Sequence, residues 1–206
     1  MESYLKCEEC AGNVIDKEAG ILNRGNLARL KNFLSRAAQG ERLTVGFIGG
    51  SITQGFAATE PDQCYAARTV AWLRKVFPNT EFDYVNAGIG ATNSQFGAAR
   101  VQEDLLRRLP DLVMVEFSVN DHCTPHDMET YEGLIRQIYG SRSCPAMVLL
   151  HSVYYDTGKS AAYYHAQIGR HYDLPCMSMQ NSIYPAVAAG RLPAEKITAD
   201  FLHPND

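Results

Sequence analysis

Short apolar runs along this chain alternate with stretches in which apolar residues recur every three to four positions. Leu27, Leu30 and Leu34 lie at helical spacing, with Asn23 or Asn26 available as a cap and Gly40 as a stop, so a helix is expected there. The mainly apolar run from Leu43 to Ile48 ends in Gly49-Gly50 and predicts a buried strand feeding a tight turn. A helical face of Ala66, Val70, Leu73 and Phe77 then leads into a strand from Phe82 to Asn86. Val101, Leu105 and Leu109 mark the next helix, before a strand from Leu112 to Phe117. Tyr131, Leu134, Ile135 and Ile138 precede a strand from Ala146 to His151, and a helix over about Ala161 to His171 precedes a short strand near Cys176.

Apolar strands alternating with amphipathic helices predict an α/β domain, a parallel sheet with helices on both faces. Residues 1–20 are polar and aperiodic and are expected to form a flexible N-terminal arm, which leaves 21–206 as the domain. A chain of 206 residues with 46% apolar composition suits one full core, and no repeat or linker divides it.

In open α/β sheets, sites form beyond the carboxyl ends of the strands. The polar residues collect there: Ser51, Gly88, Asn120 and the segment Tyr154-Tyr155-Asp156 each follow an expected strand. A serine hydroxyl is a poor nucleophile at neutral pH and needs a histidine to take its proton, with a carboxylate to fix that histidine's tautomer. Asp200-Phe201-Leu202-His203 supplies such a pair three residues apart, close enough for one turn of backbone to join them. Acyl transfer also needs donors aimed at a developing oxyanion. The backbone N–H groups of Ser51 and Gly88 and the side-chain amide of Asn120 are the candidates.

Other arrangements compete for these residues. Gly49-Gly50 could be a phosphate-cradling turn, but no G-x-G-x-x-G or G-K-[ST] follows the first long strand. His122-Cys123-Thr124-Pro125-His126-Asp127 has the look of a metal site, yet Pro125 interrupts the helix that would align the two histidines, and a site-lining loop is the better reading. Among six scattered cysteines only Cys7 and Cys10 form a C-x-x-C pair, and without a second pair these read as reduced thiols, not zinc ligands. Glu116 reads as a buried hydrogen-bonding partner and not as a catalytic group.

Gly49-Gly50-Ser51, Asn86-Ala87-Gly88-Ile89-Gly90, Ser118-Val119-Asn120-Asp121 and Asp200-x-x-His203, in this order, resemble the four blocks of the SGNH hydrolases, also called the GDSL esterase/lipase family. The likeness runs from about Leu43 to the end. It implies a flavodoxin-like three-layer αβα sandwich around a central parallel sheet of about five strands. It further implies Ser51 as nucleophile, His203 and Asp200 completing the triad, an oxyanion hole from Ser51, Gly88 and Asn120, and no metal or organic cofactor. Two blocks depart from the family wording: G-D-S reads Gly49-Gly50-Ser51, and G-x-N-D reads Ser118-Val119-Asn120-Asp121. The family also continues past the histidine loop into a helix, so a C-terminal helix and any following domain are expected to lie beyond Asp206.

Within the family, the wording of these blocks is most similar to bacterial carbohydrate acetylesterases. That implies a serine esterase removing short acyl groups from a small-molecule or oligosaccharide ester, with Gln54, His122, Tyr154 and Tyr155 binding the sugar. A lipid esterase or thioesterase with the same triad, or a non-catalytic carbohydrate-binding protein that keeps the fold, are the alternatives. A net charge of −4 provides no basic field for nucleic acid or for a membrane surface. No leader opens the sequence and no apolar run nears the roughly 20 residues that span a bilayer, so a cytoplasmic location is expected.

Overall fold

The computed structural model describes residues 14–206. The Cys7–Cys10 pair and the first part of the expected arm lie outside the described residues. The rest of that arm is packed: Asp16 N–H donates to Ser182 O, Gly20 is buried, and Gly20 O accepts from Ser178 N–H.

In chain order the elements are β1 (Ile21–Asn23), α1 (Ala28–Ala38), β2 (Leu43–Gly49), α2 (Ser51–Gln54), α3 (Tyr65–Val76), β3 (Phe82–Gly88) and α4 (Ser94–Asp104). There follow β4 (Leu112–Glu116), α5 (Pro125–Tyr139), β5 (Ala146–His151), α6 (Ala162–His171), β6 (Cys176–Ser178), α7 (Met179–Ser182) and α8 (Tyr184–Ala188). The sheet has six strands in the order β1-β6-β5-β4-β2-β3. All pairings are parallel except β1 on β6, so the expected five-stranded parallel sheet carries one extra antiparallel edge strand. Ile21–Asn23 is too short to show a strand period among its polar neighbours, which is why sequence alone leaves it unassigned.

Side-chain alternation along the strands divides the core in two. Leu43, Val45 and Phe47 of β2 join Leu112 of β4 under α1 and α3, against Phe33, Ala37, Ala66, Val70 and Leu73. Ile48, Val113 and Val115 face the other way, against α4, α5 and α6 through Val101, Leu134, Ile135, Ile138 and Ile168. The expected continuation of a helix to Leu109 does not occur. α4 ends at Asp104, a 3₁₀ turn follows over Leu106–Arg108, and Leu109 is half exposed in a left-handed conformation with φ 52° before Pro110. The residue before a proline is disfavoured in the helical region, so the helix stops short of it.

The chain leaves β2 for β3 on one side and then crosses back to place β4 on the other. The sheet's switch point therefore lies between the carboxyl ends of β2 and β4, the position at which open α/β sheets form a crevice. Among the described residues, no helix is long and apolar enough to cross a membrane.

Candidate active site

Ser51 follows β2 immediately, on a turn built by glycines. A Cβ at Gly49 would fall 2.1 Å from Thr53 Oγ1 and 2.4 Å from Glu116 O, and one at Gly50 would fall 2.3 Å from Asn120 Oδ1. The close approach of β2, α2 and the loop after β4 thus depends on the missing side chains. α2 lasts one turn before Gly55 adopts φ 91° and closes it, with the Gly55 and Phe56 N–H groups both donating to Ser51 O at 3.0 and 3.1 Å.

His203 comes to this turn from the chain's last loop. Its Nε2 is 2.8 Å from Ser51 Oγ, and its Nδ1 is 2.6 Å from Asp200 Oδ2. Asp200 Oδ1 accepts from the backbone N–H of His203 (2.8 Å) and Leu202 (3.0 Å) and from the Thr198 hydroxyl (3.0 Å). Burial by itself would raise the Asp200 carboxyl, but the bonds from His203, Leu202 and Thr198 together outweigh it and hold the group well below the usual carboxylate range. A carboxylate only accepts, so Nδ1 carries the imidazole proton and Nε2 is left to accept from the Ser51 hydroxyl. The loop is closed by a bridge between Thr198 and Pro204 and by Asn205 N–H on Ile197 O. Phe201 sits at φ 63°, and its carbonyl is fixed by the Tyr155 N–H at 2.7 Å.

Asn120 reaches the serine from the end of β4. Its N–H and that of Asp121 both donate to Phe117 O, and its side-chain amide lies against Gly50. The adjoining Asp121 is buried and ties two other elements to this loop. Its Oδ1 accepts from Ser94 N–H, the start of α4, at 2.8 Å, and its Oδ2 lies 2.9 Å from His165 Nε2 of α6. His165 stacks flat on Tyr131, with 3.5 Å between ring centres. Burial lowers its pKa against the pull of Asp121, so it stays neutral and donates through Nε2–H. Behind it His151, wholly buried and lowered to about 3 by the same cause, ends β5.

Glu116 closes this buried group. It is 0% exposed, and its Oε1 accepts from Ser118 N–H and Oγ–H, both at 3.0 Å. Burial pushes its carboxyl up to about 7, with the Ser118 bonds pulling the other way.

Two of the expected site residues are placed differently. The Gly88 N–H is already engaged by Asn86 Oδ1 at 2.9 Å, because Gly88 is the last residue of β3 and packs under the α2 backbone, so it is not a free oxyanion donor. Gly90 N–H is likewise engaged, by Gln54 Oε1 at 2.8 Å. No hydrogen bond among the described residues uses the N–H of Ser51 or of Ala91, the latter at φ 57°. Tyr155 is only 6% exposed and presents no ring face to a ligand, since its backbone is drawn in by the bond to Phe201. Gln54 is exposed but anchors the Gly90 loop through its oxygen.

His122 and Tyr154 border a hollow of about 690 Å³ together with Asp156, Lys159 and Gln180. Tyr154 is part-buried, with its hydroxyl on Val119 O at 3.3 Å. Pro125 opens α5 under a Thr124 cap, so His122 lies outside that helix and His126 within it. Among the described residues, no group of three or more His, Cys, Asp or Glu side chains could hold a metal ion. A second hollow, of about 470 Å³, is bordered by His203 and Phe56, with Ile52, Tyr65 and Trp72 also in its walls. Phe56 and Thr198 are the residues that sequence reasoning missed, since neither belongs to a recognisable spacing.

The profile of the GDSL-like Lipase/Acylhydrolase family matches residues 47–206. The chain belongs to this family. No curated protein matches it, but solved structures do. A two-domain esterase active on acetylated mannans, crystallised with mannopentaose, is 53% identical with a TM-score of 0.92 over 93% of this chain and 53% of its own. A second structure of a two-domain esterase active on acetylated mannans is likewise 53% identical, with a TM-score of 0.91 over 93% of this chain and 52% of its own. An acetyl xylan esterase from Geobacillus stearothermophilus shares the fold, with a TM-score of 0.64 and 20% identity over 79% of this chain and 87% of its own. The chain thus spans about half the length of the mannan-active esterase it resembles.

Proposed function

We propose that this member of the GDSL-like family is a serine esterase that removes acetyl groups from carbohydrate. The observation that carries the reading is the hydrogen-bond chain from Asp200 through His203 to Ser51. Support for the substrate comes from the 53% identity to an esterase active on acetylated mannans.

In this reading Ser51 Oγ attacks the ester carbonyl carbon as its proton passes to His203 Nε2. The carbonyl oxygen, now negative, is received by the Ser51 N–H and the Asn120 amide. The loop after β3 passes beside the serine, where a Cβ at Gly90 would fall 3.7 Å from Ser51 Cβ, and its Ala91 N–H, not engaged by any described residue, is the candidate for the third donor in place of Gly88. His203 then gives its proton to the departing sugar oxygen as the acyl carbon–oxygen bond breaks, leaving acetyl on Ser51. A water loses a proton to His203 and attacks that acyl group, and as the acyl carbon–Oγ bond breaks His203 returns the proton to Ser51 Oγ, releasing acetic acid. Asp200 stays ionised throughout, as its depressed carboxyl requires, and holds the imidazolium that forms at each stage.

The second reading, a lipid esterase or thioesterase with the same triad, is favoured by the apolar part of the hollow beside His203, where Ile52, Ala57, Ala58 and Trp72 line the wall. Initial rates on acetylated mannan, acetylated xylan and nitrophenyl esters from acetyl to palmitoyl separate the two. Acetyl esters are expected to be cleaved fastest. A rate maximum at about eight carbons or beyond, where each buried methylene gains about 0.8 kcal/mol, retires the carbohydrate reading.

A further inference from the structure

Phe56 is 69% exposed, yet its position is rigidly set. Its N–H donates to the carbonyl of Ser51 itself at 3.1 Å, immediately after the left-handed Gly55. Its ring lies 4.7 Å from the His203 imidazole, tilted by 48°. Nothing in the packing of the core requires a large aromatic group at this point.

The direction of proton transfer gives the ring a use. In the tetrahedral intermediate the oxyanion and the leaving oxygen are different vertices of one carbon. The oxyanion turns toward the Asn120 amide, while the leaving oxygen must come within about 3 Å of His203 Nε2 to be protonated. His203 borders the hollow that Phe56 and Trp72 also line and does not border the one at His122 and Tyr154, so an alcohol whose oxygen is protonated by Nε2 has the Phe56 hollow beside it. A pyranose has one face of C–H groups that packs well on an aromatic ring, with its hydroxyls left at the rim for polar partners.

Resting on the carbohydrate reading above, we infer that Phe56 is the stacking platform for the sugar ring that leaves, and so a specificity residue of the esterase. The acyl group then lies on the opposite side of Ser51. This reverses the placement that sequence reasoning gave to the sugar.

The test compares Phe56→Ala and Phe56→Tyr with the wild-type protein on two esters, an acetylated manno-oligosaccharide and ethyl acetate, whose alcohol has no ring. Phe56→Ala is expected to raise KM for the oligosaccharide about tenfold, and to lower the ratio of kcat/KM between the two esters by a similar factor, the size of one aromatic contact. Phe56→Tyr restores that ratio to within about threefold, as any flat ring of that size should. Equal losses on both esters, or a loss confined to kcat, would make the ring a shield that positions His203 and overturn the inference. If the wild-type protein cleaves ethyl acetate but no acetylated sugar, both the carbohydrate reading and the role of Phe56 fall. If it cleaves both and the ratio does not move in Phe56→Ala, only the role of Phe56 falls.

Discussion

His203 stands on a stretch, residues 197–206, in which short-range bonds shape the His203–Asp200 pair (Thr198 to Asp200, Asp200 to Leu202 and His203, Ile197 to Asn205), while Tyr155 N–H on Phe201 O and Thr59 on Asp206 tie the stretch to the rest of the domain. Asn120, packed against Gly50, stands beside a buried group whose bonds reach far along the chain, from Asp121 to Ser94 and His165 and from Ser118 to Ser152. The base can thus be shaped by a short local segment, because a histidine must only be aimed. The amide must hold a fixed distance from a serine that follows another strand, and that takes three elements locked together. In the proposed mechanism, local, half-exposed structure would serve proton transfer, and buried, long-range structure the placement of a donor.

The most severe break in this comparison is at the point that both regions share. Ser51→Ala removes the oxygen bonded to His203 and leaves the glycine-shaped turn untouched. Turnover of an acetyl ester is expected to fall by about 10⁴-fold or more, with the thermal midpoint essentially unchanged. Residual activity above a few per cent of wild type, with contaminating esterase excluded, would mean that another group is the nucleophile.

Asn120→Ala isolates the donor side. The amide matters chiefly when negative charge develops, so kcat should fall by roughly 10²- to 10³-fold while KM changes little. Steady-state kinetics on nitrophenyl acetate measure both. An unchanged kcat with a weakened KM would instead make Asn120 a ground-state clamp.

The two regions also differ in how much of each could be read from sequence. The D-x-x-H spacing shows the local loop almost entirely, because residues three apart must meet wherever the backbone turns. The sheet core was legible for the same kind of reason, in that Leu43, Val45 and Phe47 alternate and Ala66, Val70 and Leu73 recur on one helical face. Asn120 was visible only as a polar residue at a strand end. Its supports, His165 on α6 and Ser94 on α4, lie 44 and 27 positions from Asp121, and no spacing rule links residues so far apart. Gly88 was misassigned for a related reason: sequence shows that a glycine can offer its N–H, but not that Asn86 two positions earlier has already taken it. The exposed Phe56 had no period and no partner motif to mark it.

Glu116 tests whether the buried side responds to pH as a unit. Its carboxyl is raised from 4.5 to about 7 in the fold, so the folded protein holds that proton more tightly than the unfolded chain. The resulting stability is fully present below about 4.5 and is lost as pH rises through about 7, amounting to about 3 kcal/mol at most. Glu116→Gln keeps an oxygen to accept from Ser118 and removes the titration. Denaturant unfolding at pH 5 and pH 8 should show wild type losing up to about 3 kcal/mol more than the variant over that interval. Parallel pH profiles would show that the carboxyl does not titrate there.

The smallest effect is expected on the local side, from Thr198→Val. Thr198 is 2% exposed, and its hydroxyl donates to Asp200 Oδ1 while accepting from the Asp200 and Leu202 N–H groups. Valine keeps the shape and deletes all three bonds. Leu202 N–H retains its bond to Asp200 Oδ1, and Asp200 keeps both contacts from His203, so the loop should persist with its carboxylate less firmly held. The carboxyl rises toward the ordinary range, the imidazole is less well aimed, and kcat/KM should fall about tenfold, the equivalent of one hydrogen bond to a charged group. Thr198→Ser returns the hydroxyl and should recover most of the rate. If the valine variant loses as much as Asn120→Ala, the base is not independently held by its several local bonds and the contrast between the two sides fails. If it loses nothing, the bonds from His203 and Leu202 alone suffice to fix Asp200, and the local side is more redundant than its geometry implies.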